Sequence, residues 1–306
     1  MRILIVGAGA VGGYFGGRLL EKGEDVTFLV REKRKGLLQA NGLKLNSVHG
    51  NVDLKPKVLT VKDTSEAFDV VIVSTKAYHL SDVVDSIEPF VAKNTMILPL
   101  LNGVSHVEVL QNRFGKENVI GGLCFIESTL DVTGQVVQTS PIHDLVFGEL
   151  SGERTERIEK LEKAFSGTKA NFRLSDEIVR EMWHKYLFIT TLSGVTTLMR
   201  APIGPIRESI GGQETIERLV KELSTVMRAI QAPIAETIEQ IMLERVQAMG
   251  YDMKSSMQRD MEKGQAVEAD HLQGYIYNIA QTEKLNVPVL QVIYSNLKVY
   301  EQSLEG

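Results

Sequence analysis

Apolar positions in the first half of the chain come in short unbroken runs, RILIV, DVTFLV, DVVIVST and TMILPL, separated by stretches of helical periodicity. Such runs predict buried strands of a largely parallel sheet joined by helices, the βαβ pattern. The later runs NVIGGLCF, GQVVQT and DLVFGEL are punctuated by TG and SP, and predict added strands, some antiparallel, at the far side of that sheet. The sheet should close near Leu150. From about Ser151 the strand signals stop and amphipathic patterns such as ERTERIEKLEKAFSG and GGQETIERLVKELSTVMRAIQ take over, so a helical second domain is expected. The boundary is placed near Gly167, giving domains 1–167 and 168–306. Pro202, Pro205, Pro233 and Pro288 sit where helices would start or break, with Pro288 reading as a first-turn proline.

One helical stretch, EMWHKYLFIT, is apolar nearly all round, since four successive residues cover most of a helix's circumference. That predicts a buried helix with Lys185 buried in it. The alternative is an Glu181–Lys185 pair, four residues apart, on a surface helix.

The N-terminal run carries G-x-G-x-x-G at Gly7, Gly9 and Gly12, directly after a strand and opening a helix, the context a dinucleotide-binding loop requires. Gly7 permits the tight turn, Gly9 lets backbone approach a pyrophosphate, and Gly12 lets helix and strand pack closely. With Ala10, the helix N-terminus supplies amides for phosphates. The second strand ends at Arg31 rather than at the acidic residue that binds a ribose 2′-hydroxyl, and Lys33, Arg34 and Lys35 follow, with Glu32 as the one opposing charge. An arginine there attracts a 2′-phosphate, which predicts NADP(H) over NAD(H), against the plainer reading of a solvated charge. Lys76 in VIVSTKAYHL and Asn102 in LPLLNGVSH lie just past strand ends, where ligands gather in open α/β sheets, although an isolated Asn-Gly is more often a turn.

Composition narrows the field further. The 306 residues are 43% hydrophobic with a formal charge of −5, which supplies a core and gives no basic footprint for nucleic acid. The single cysteine, Cys124, cannot form an intrachain disulfide, and no Cys/His cluster has zinc spacing, so no metal and a reducing, cytoplasmic setting are expected. The glycines and the charges at Arg18, Glu21 and Lys22 argue against an N-terminal signal peptide, and no run approaches membrane-spanning length.

Together the motifs GAGAVG, Arg31, TKAY with Lys76, NG with Asn102, EMWHK with Lys185, and SSMQRDMEKGQAVEAD resemble the ketopantoate reductase (2-dehydropantoate 2-reductase) family over nearly the whole chain. The resemblance implies an α/β protein, a Rossmann-type doubly wound sheet followed by an all-helical domain of the 6-phosphogluconate dehydrogenase C-terminal type, with the active site in the cleft between domains. It implies Lys185 as general acid, Glu268 as ligand of the substrate hydroxyl, Asn102 beside nicotinamide and substrate, Ser256 on the substrate, and Arg31 and Lys76 on the cofactor. The implied activity is NADPH-dependent reduction of ketopantoate to (R)-pantoate, toward pantothenate and coenzyme A. A homodimer through the helical domain is compatible with this fold.

The family commonly carries asparagines four and eight residues after the lysine, where this chain has Ile189 and Ser193. Ser193 is retained as a substrate-side candidate, Arg200 as a substitute carboxylate ligand, and another 2-oxo acid as an alternative substrate. A non-catalytic NADPH sensor on the same fold is a third reading. His143 and His184 are rival acids outside the family's motifs.

Overall fold

The computed structural model describes residues 1–304, which form two compact units, one of 1–101 with 106–179 and one of 102–105 with 180–304. The first unit is built on β1 (Arg2–Val6), α1 (Ala10–Lys22), β2 (Asp25–Leu29), α2 (Glu32–Asn41), β3 (Leu43–Ser47), β4 (Val52–Leu54), β5 (Lys57–Leu59), β6 (Val70–Val73), α3 (Leu80–Ile87), β7 (Met96–Pro99) and α4 (Ser105–Phe114, from His106 on). It continues through β8 (Gly121–Leu130), β9 (Val136–Gly148), α5 (Glu156–Phe165) and β10 (Asn171–Leu174).

The four predicted apolar runs become β1, β2, β6 and β7, and with β5 they form a fully parallel sheet of order β5-β2-β1-β6-β7. Alternate residues of β1 serve opposite faces: Ile3 and Ile5 enter one apolar cluster, and Leu4 and Val6 the other. That explains why the run has no polar gap.

Of the later runs, the start of NVIGGLCF touches this sheet through one parallel bridge, Val119 to Ile97 of β7, and the rest pairs elsewhere. β8 and β9 form a second sheet with β3, β4 and β10, and α1 packs between the two. A Cβ on Gly16 would meet Ile5 and Phe28 of the first sheet at 2.8 Å, and one on Gly17 would meet Leu45 of the second at 2.6 Å. Small residues on α1 thus let one helix touch both layers. GQVVQT and DLVFGEL also prove to be one strand, β9. Pro141 interrupts it without ending it, because the β8–β9 register shifts between Ile126 and Ser128, opposite the proline, so no ladder donor is lost there.

The strand signals continue past Ser151 as well. β10 pairs in parallel with Asp144–Phe147 of β9, and this pairing carries the first unit to Val179, beyond Gly167. Its half-exposed pattern, typical of an edge strand, hides it from a search for apolar runs.

The second unit contains α6 (Ile178–Met199, from Arg180 on), α7 (Ile203–Glu208), α8 (Gly212–Ala229), α9 (Ile238–Gln247), α10 (Ser256–Glu262), α11 (Tyr275–Thr282) and α12 (Pro288–Leu304). α8 buries Ile216, Leu219, Val220, Leu223, Val226 and Met227, a single stripe at helical spacing. As expected, Pro202 precedes α7, Pro233 falls between α8 and α9, and Pro288 opens α12, whereas Pro205 lies inside α7 as its third residue. Glu222 on α8 accepts from the N–H groups of Val289 at 3.1 Å and Leu290 at 2.9 Å, satisfying donors that the start of α12 leaves free. Between α10 and α11 the chain makes one π-helical turn, Asp270–Gly274, closed by Gly274 N–H to Ala269 O at 2.8 Å. No described helix is long and apolar enough to cross a membrane.

Candidate active site

In the first unit, β1 ends where the sheet's connections diverge, with β2 on one side and β6 on the other, which is where ligands bind in open α/β sheets. Gly7 there has φ +92°, a conformation that a side chain would strain. A Cβ on Gly12 would lie 2.2 Å from the Gly7 carbonyl and 2.1 Å from Ser74 Oγ, so the third glycine is fixed by close approach. Ser74 Oγ donates to the carbonyls of Val6 at 3.0 Å and Gly7 at 3.1 Å, tying the end of β6 to the loop. A Cβ on Gly9 would meet nothing within 4 Å. Open space at Gly9, together with the amides that open α1 at Ala10, gives a cradle for a pyrophosphate.

The four basic residues after β2 have separate duties. Arg31 is exposed and is the N-cap of α2, beside that helix's free amides, with Lys33 also exposed. Arg34 turns inward, donating from Nε to Ala8 O at 3.1 Å and from a terminal nitrogen to Gly134 O at 2.9 Å, so it braces the glycine loop against the β8–β9 turn. Lys35 pairs with Asp63 at 2.7 Å. Lys76 follows β6 as the N-cap of a short 3-10 turn. The open loop of Gly7, Gly9, Ala10 and Gly12, with Arg31 and Lys76 just past the two flanking strands, has the room and the donors that a dinucleotide requires.

In the second unit, Lys185 lies on α6 and is only 6% exposed, in agreement with a buried helix. Glu268 is 7% exposed and lies two residues before the π turn, separated from it by Ala269. α6 is stitched to that turn at two points: Tyr186 Oη donates to Leu272 O at 2.6 Å, and Gln273 Nε2 donates to Ser193 Oγ at 2.7 Å and Thr190 O at 3.3 Å. Burial drives the Tyr186 phenol well above its ordinary pKa, so it remains a donor. From the other side, Asp270 accepts from Tyr294 Oη at 2.6 Å and Lys298 Nζ at 3.0 Å, fixing the turn to α12. Asn102 belongs to the short segment 102–105 of this unit, and its carbonyl accepts from His271 Nε2 at 2.6 Å. The π turn thus gathers the Lys185 helix, Glu268 and the Asn102 segment.

The remaining predicted residues fall outside this arrangement or have other duties. Ser255 is buried and caps α10, accepting from Gln258 N–H at 3.0 Å and meeting Thr196 Oγ1 at 2.8 Å, while Ser256 is the exposed first residue of that helix. Arg200 is exposed just past α6 with φ +51°. His184 Nε2 accepts from the Ala235 N–H at 3.0 Å, so that nitrogen carries no proton to give. His143 lies in the first unit, 2.7 Å from Tyr14 Oη and stacked on His49. His271, Gln273 and Tyr186 were not singled out from the sequence. The only signal for His271 was its position three residues after Glu268, one helical turn on.

A parallel sheet with a glycine loop at its switch point, joined to a helical unit with a buried lysine and glutamate, defines a nicotinamide-dependent oxidoreductase. Two family models match this chain, ketopantoate reductase PanE/ApbA over residues 3–152 and its C-terminal counterpart over residues 177–301. The uncharacterized oxidoreductase YkpB of Bacillus subtilis is 48% identical, covering 98% of this chain and 99% of that protein. The crystal structure of 2-dehydropantoate 2-reductase from Geobacter metallireducens superposes with a TM-score of 0.86 at 30% identity, covering 98% of this chain and 99% of the other. A D-mandelate dehydrogenase in ternary complex with NADH and anilino(oxo)acetate shares the fold at 21% identity and a TM-score of 0.89, with both chains covered fully. The chain belongs to the ketopantoate reductase family and is an oxidoreductase that acts on a CH–OH group with NAD(P)H.

Proposed function

We propose that this protein uses NADPH to reduce ketopantoate to (R)-pantoate. The observation that carries the reading is the π turn, which ties the helix of Lys185 and the segment of Asn102 to the position just after Glu268. A bound NADPH supplies the hydride. As negative charge grows on the ketone oxygen, the Lys185 ammonium donates a hydrogen bond to it and then a proton, leaving a hydroxyl and a neutral amine. Glu268 accepts a hydrogen bond from a substrate hydroxyl, and the Asn102 amide orients the carbonyl group; Ser256 and Ser193 are assigned to the substrate side. The preference for NADPH rests on Arg31 at the end of β2, where a 2′-phosphate would meet a guanidinium and the first amides of α2.

A second reading, reduction of a different 2-oxo acid, is favoured by Ile189 and Ser193 at the two positions where the family commonly carries asparagine. Ser193 is hydrogen-bonded to Gln273, so the amide at this place comes from the π turn rather than from α6. That the fold serves other chemistry is seen in the D-mandelate dehydrogenase complex with NADH. The test is oxidation of NADPH and of NADH by the purified protein, with ketopantoate beside a panel of 2-oxo acids. The highest kcat/KM with ketopantoate and NADPH is the expected result. A clear preference for another acid establishes the second reading, and turnover of none sinks both.

A further inference from the structure

His271 occupies an unusual place. Its Nε2 lies 2.6 Å from the carbonyl oxygen of Asn102, which can only accept, so Nε2 carries the hydrogen. In the neutral ring Nδ1 is then an acceptor, and it lies 3.1 Å from Ser105 Oγ, which can donate to it. One imidazole therefore holds both ends of the segment 102–105. Of the two residues between, Gly103 has φ +86°, and a Cβ there would be 3.0 Å from His271 Nε2, so the segment is shaped to receive the ring. His271 is also three residues after Glu268, on a turn begun by the Leu272 N–H to Glu268 O hydrogen bond at 3.0 Å. Burial lowers the ring's pKa, which favours the neutral form, while the charge of Glu268 and the bond to Asn102 act the other way.

We infer that His271 is a positioning residue for the reduction: it latches the Asn102–Ser105 segment to the π turn and so fixes the place of the Asn102 side chain relative to Glu268. The inference rests on the proposed roles of Asn102 and Glu268 on the substrate side. Its physical basis is that orienting groups work only when held to within a fraction of an ångström, and a four-residue segment after a strand holds no such position unaided.

The test compares the unaltered protein with His271→Phe, which keeps a ring but no donor, and His271→Gln, whose amide nitrogen reaches about as far as Nε2. Three quantities are read: backbone amide exchange of residues 102–105 without ligand, the NADPH dissociation constant, and kcat and KM for the best 2-oxo acid of the panel. His271→Phe is expected to speed exchange in the segment and to lower kcat/KM by about tenfold, as for one lost buried hydrogen bond, with NADPH binding unchanged. His271→Gln should recover most of both losses. Faster exchange with kcat/KM unchanged, or equal impairment by Phe and Gln, overturns the positioning role. Unchanged exchange in His271→Phe overturns the latch itself. Should His271→Phe fail to fold, Ser105→Ala, which removes only the Nδ1 contact, is expected to lower kcat/KM about two- to threefold, and no change there overturns the inference. If the unaltered protein reduces no 2-oxo acid, the proposed function fails and the positioning role fails with it, while the exchange measurement separately reports whether the latch exists.

Discussion

The hydroxyl of Ser193 on α6 accepts a hydrogen bond at 2.7 Å from Nε2 of Gln273 in the π turn, and both side chains are buried. A buried amide that loses such a partner bears its full desolvation cost. Gln273→Leu is therefore expected to destabilise the protein by about 1–3 kcal/mol, removing the amide donor that Ser193 Oγ accepts from. In a double-mutant cycle with Ser193→Ala, followed by chemical denaturation, the two should couple by about 1 kcal/mol. Strict additivity would show that the pair does not interact.

Lys185 is predicted to act on the reaction rather than on cofactor affinity. Lys185→Ala should lower kcat by about 10²- to 10⁴-fold, the usual contribution of a positioned proton donor. The NADPH dissociation constant, measured by titration calorimetry, should stay within about threefold, because a proton donor on the substrate side contributes little to ground-state cofactor binding. A large loss of NADPH affinity with kcat preserved would assign the lysine to the cofactor.

Arg31 should decide between the two nicotinamide cofactors. Arg31→Asp places a carboxylate where a 2′-phosphate would bind, and the ratio of kcat/KM for NADPH over NADH should fall by at least about tenfold. An unchanged ratio removes Arg31 from phosphate recognition. Arg34 should behave differently. Arg34→Ala is expected to loosen the brace from Ala8 to Gly134, and so to weaken both cofactors alike.

Gly103→Ala forces a side chain into a left-handed conformation against the His271 ring. The backbone cost is about 1–2 kcal/mol before any contact strain. Denaturation should show a loss of at least that size, and kcat/KM should fall in parallel as the Asn102 segment shifts.

Two histidines give the stability a definite dependence on pH. Burial holds both His143 and His271 below the ordinary histidine pKa; the neighbouring His49 adds to this at His143, while Asp144 at His143 and Glu268 at His271 oppose it. Below about pH 6.5 the unfolded chain takes up protons at these sites that the folded chain refuses, so stability is complete above that pH and is lost as pH falls through the folded values. Tm should decline between about pH 7 and pH 5, and His271→Gln should flatten the decline. Asp63 and Glu239, held down to about 2 chiefly by Lys35 and Arg228, lose their contribution only in stronger acid and do not confuse this window. A Tm independent of pH across it would mean that neither ring is held neutral by the fold.

Much of this protein was legible in its sequence because the signals were local. The runs at β1, β2, β6 and β7 are apolar on both faces, as a covered parallel sheet demands, and the glycine spacing follows from a turn closed within six residues. The burial of Lys185 was readable from its four apolar successors. The misplacement of β8 and β9 has a non-local cause. Their alternation announces strands, but partner choice is non-local: Val136 pairs with Leu45, far away in the chain, and no periodicity records that choice.

The sequence by itself determined where the glycine loop and the buried lysine lie, because a glycine loop and an apolar helix bearing one lysine impose their structure within a turn or two. Tertiary structure alone decided how those residues are held. The His271 to Asn102 bond spans 169 positions, and the π turn that sets it is anchored to α6 through Tyr186 and Gln273 and to α12 through Asp270. Hydrogen bonds of that kind come from side chains that read as ordinary polar residues until the fold brings their partners within 3 Å.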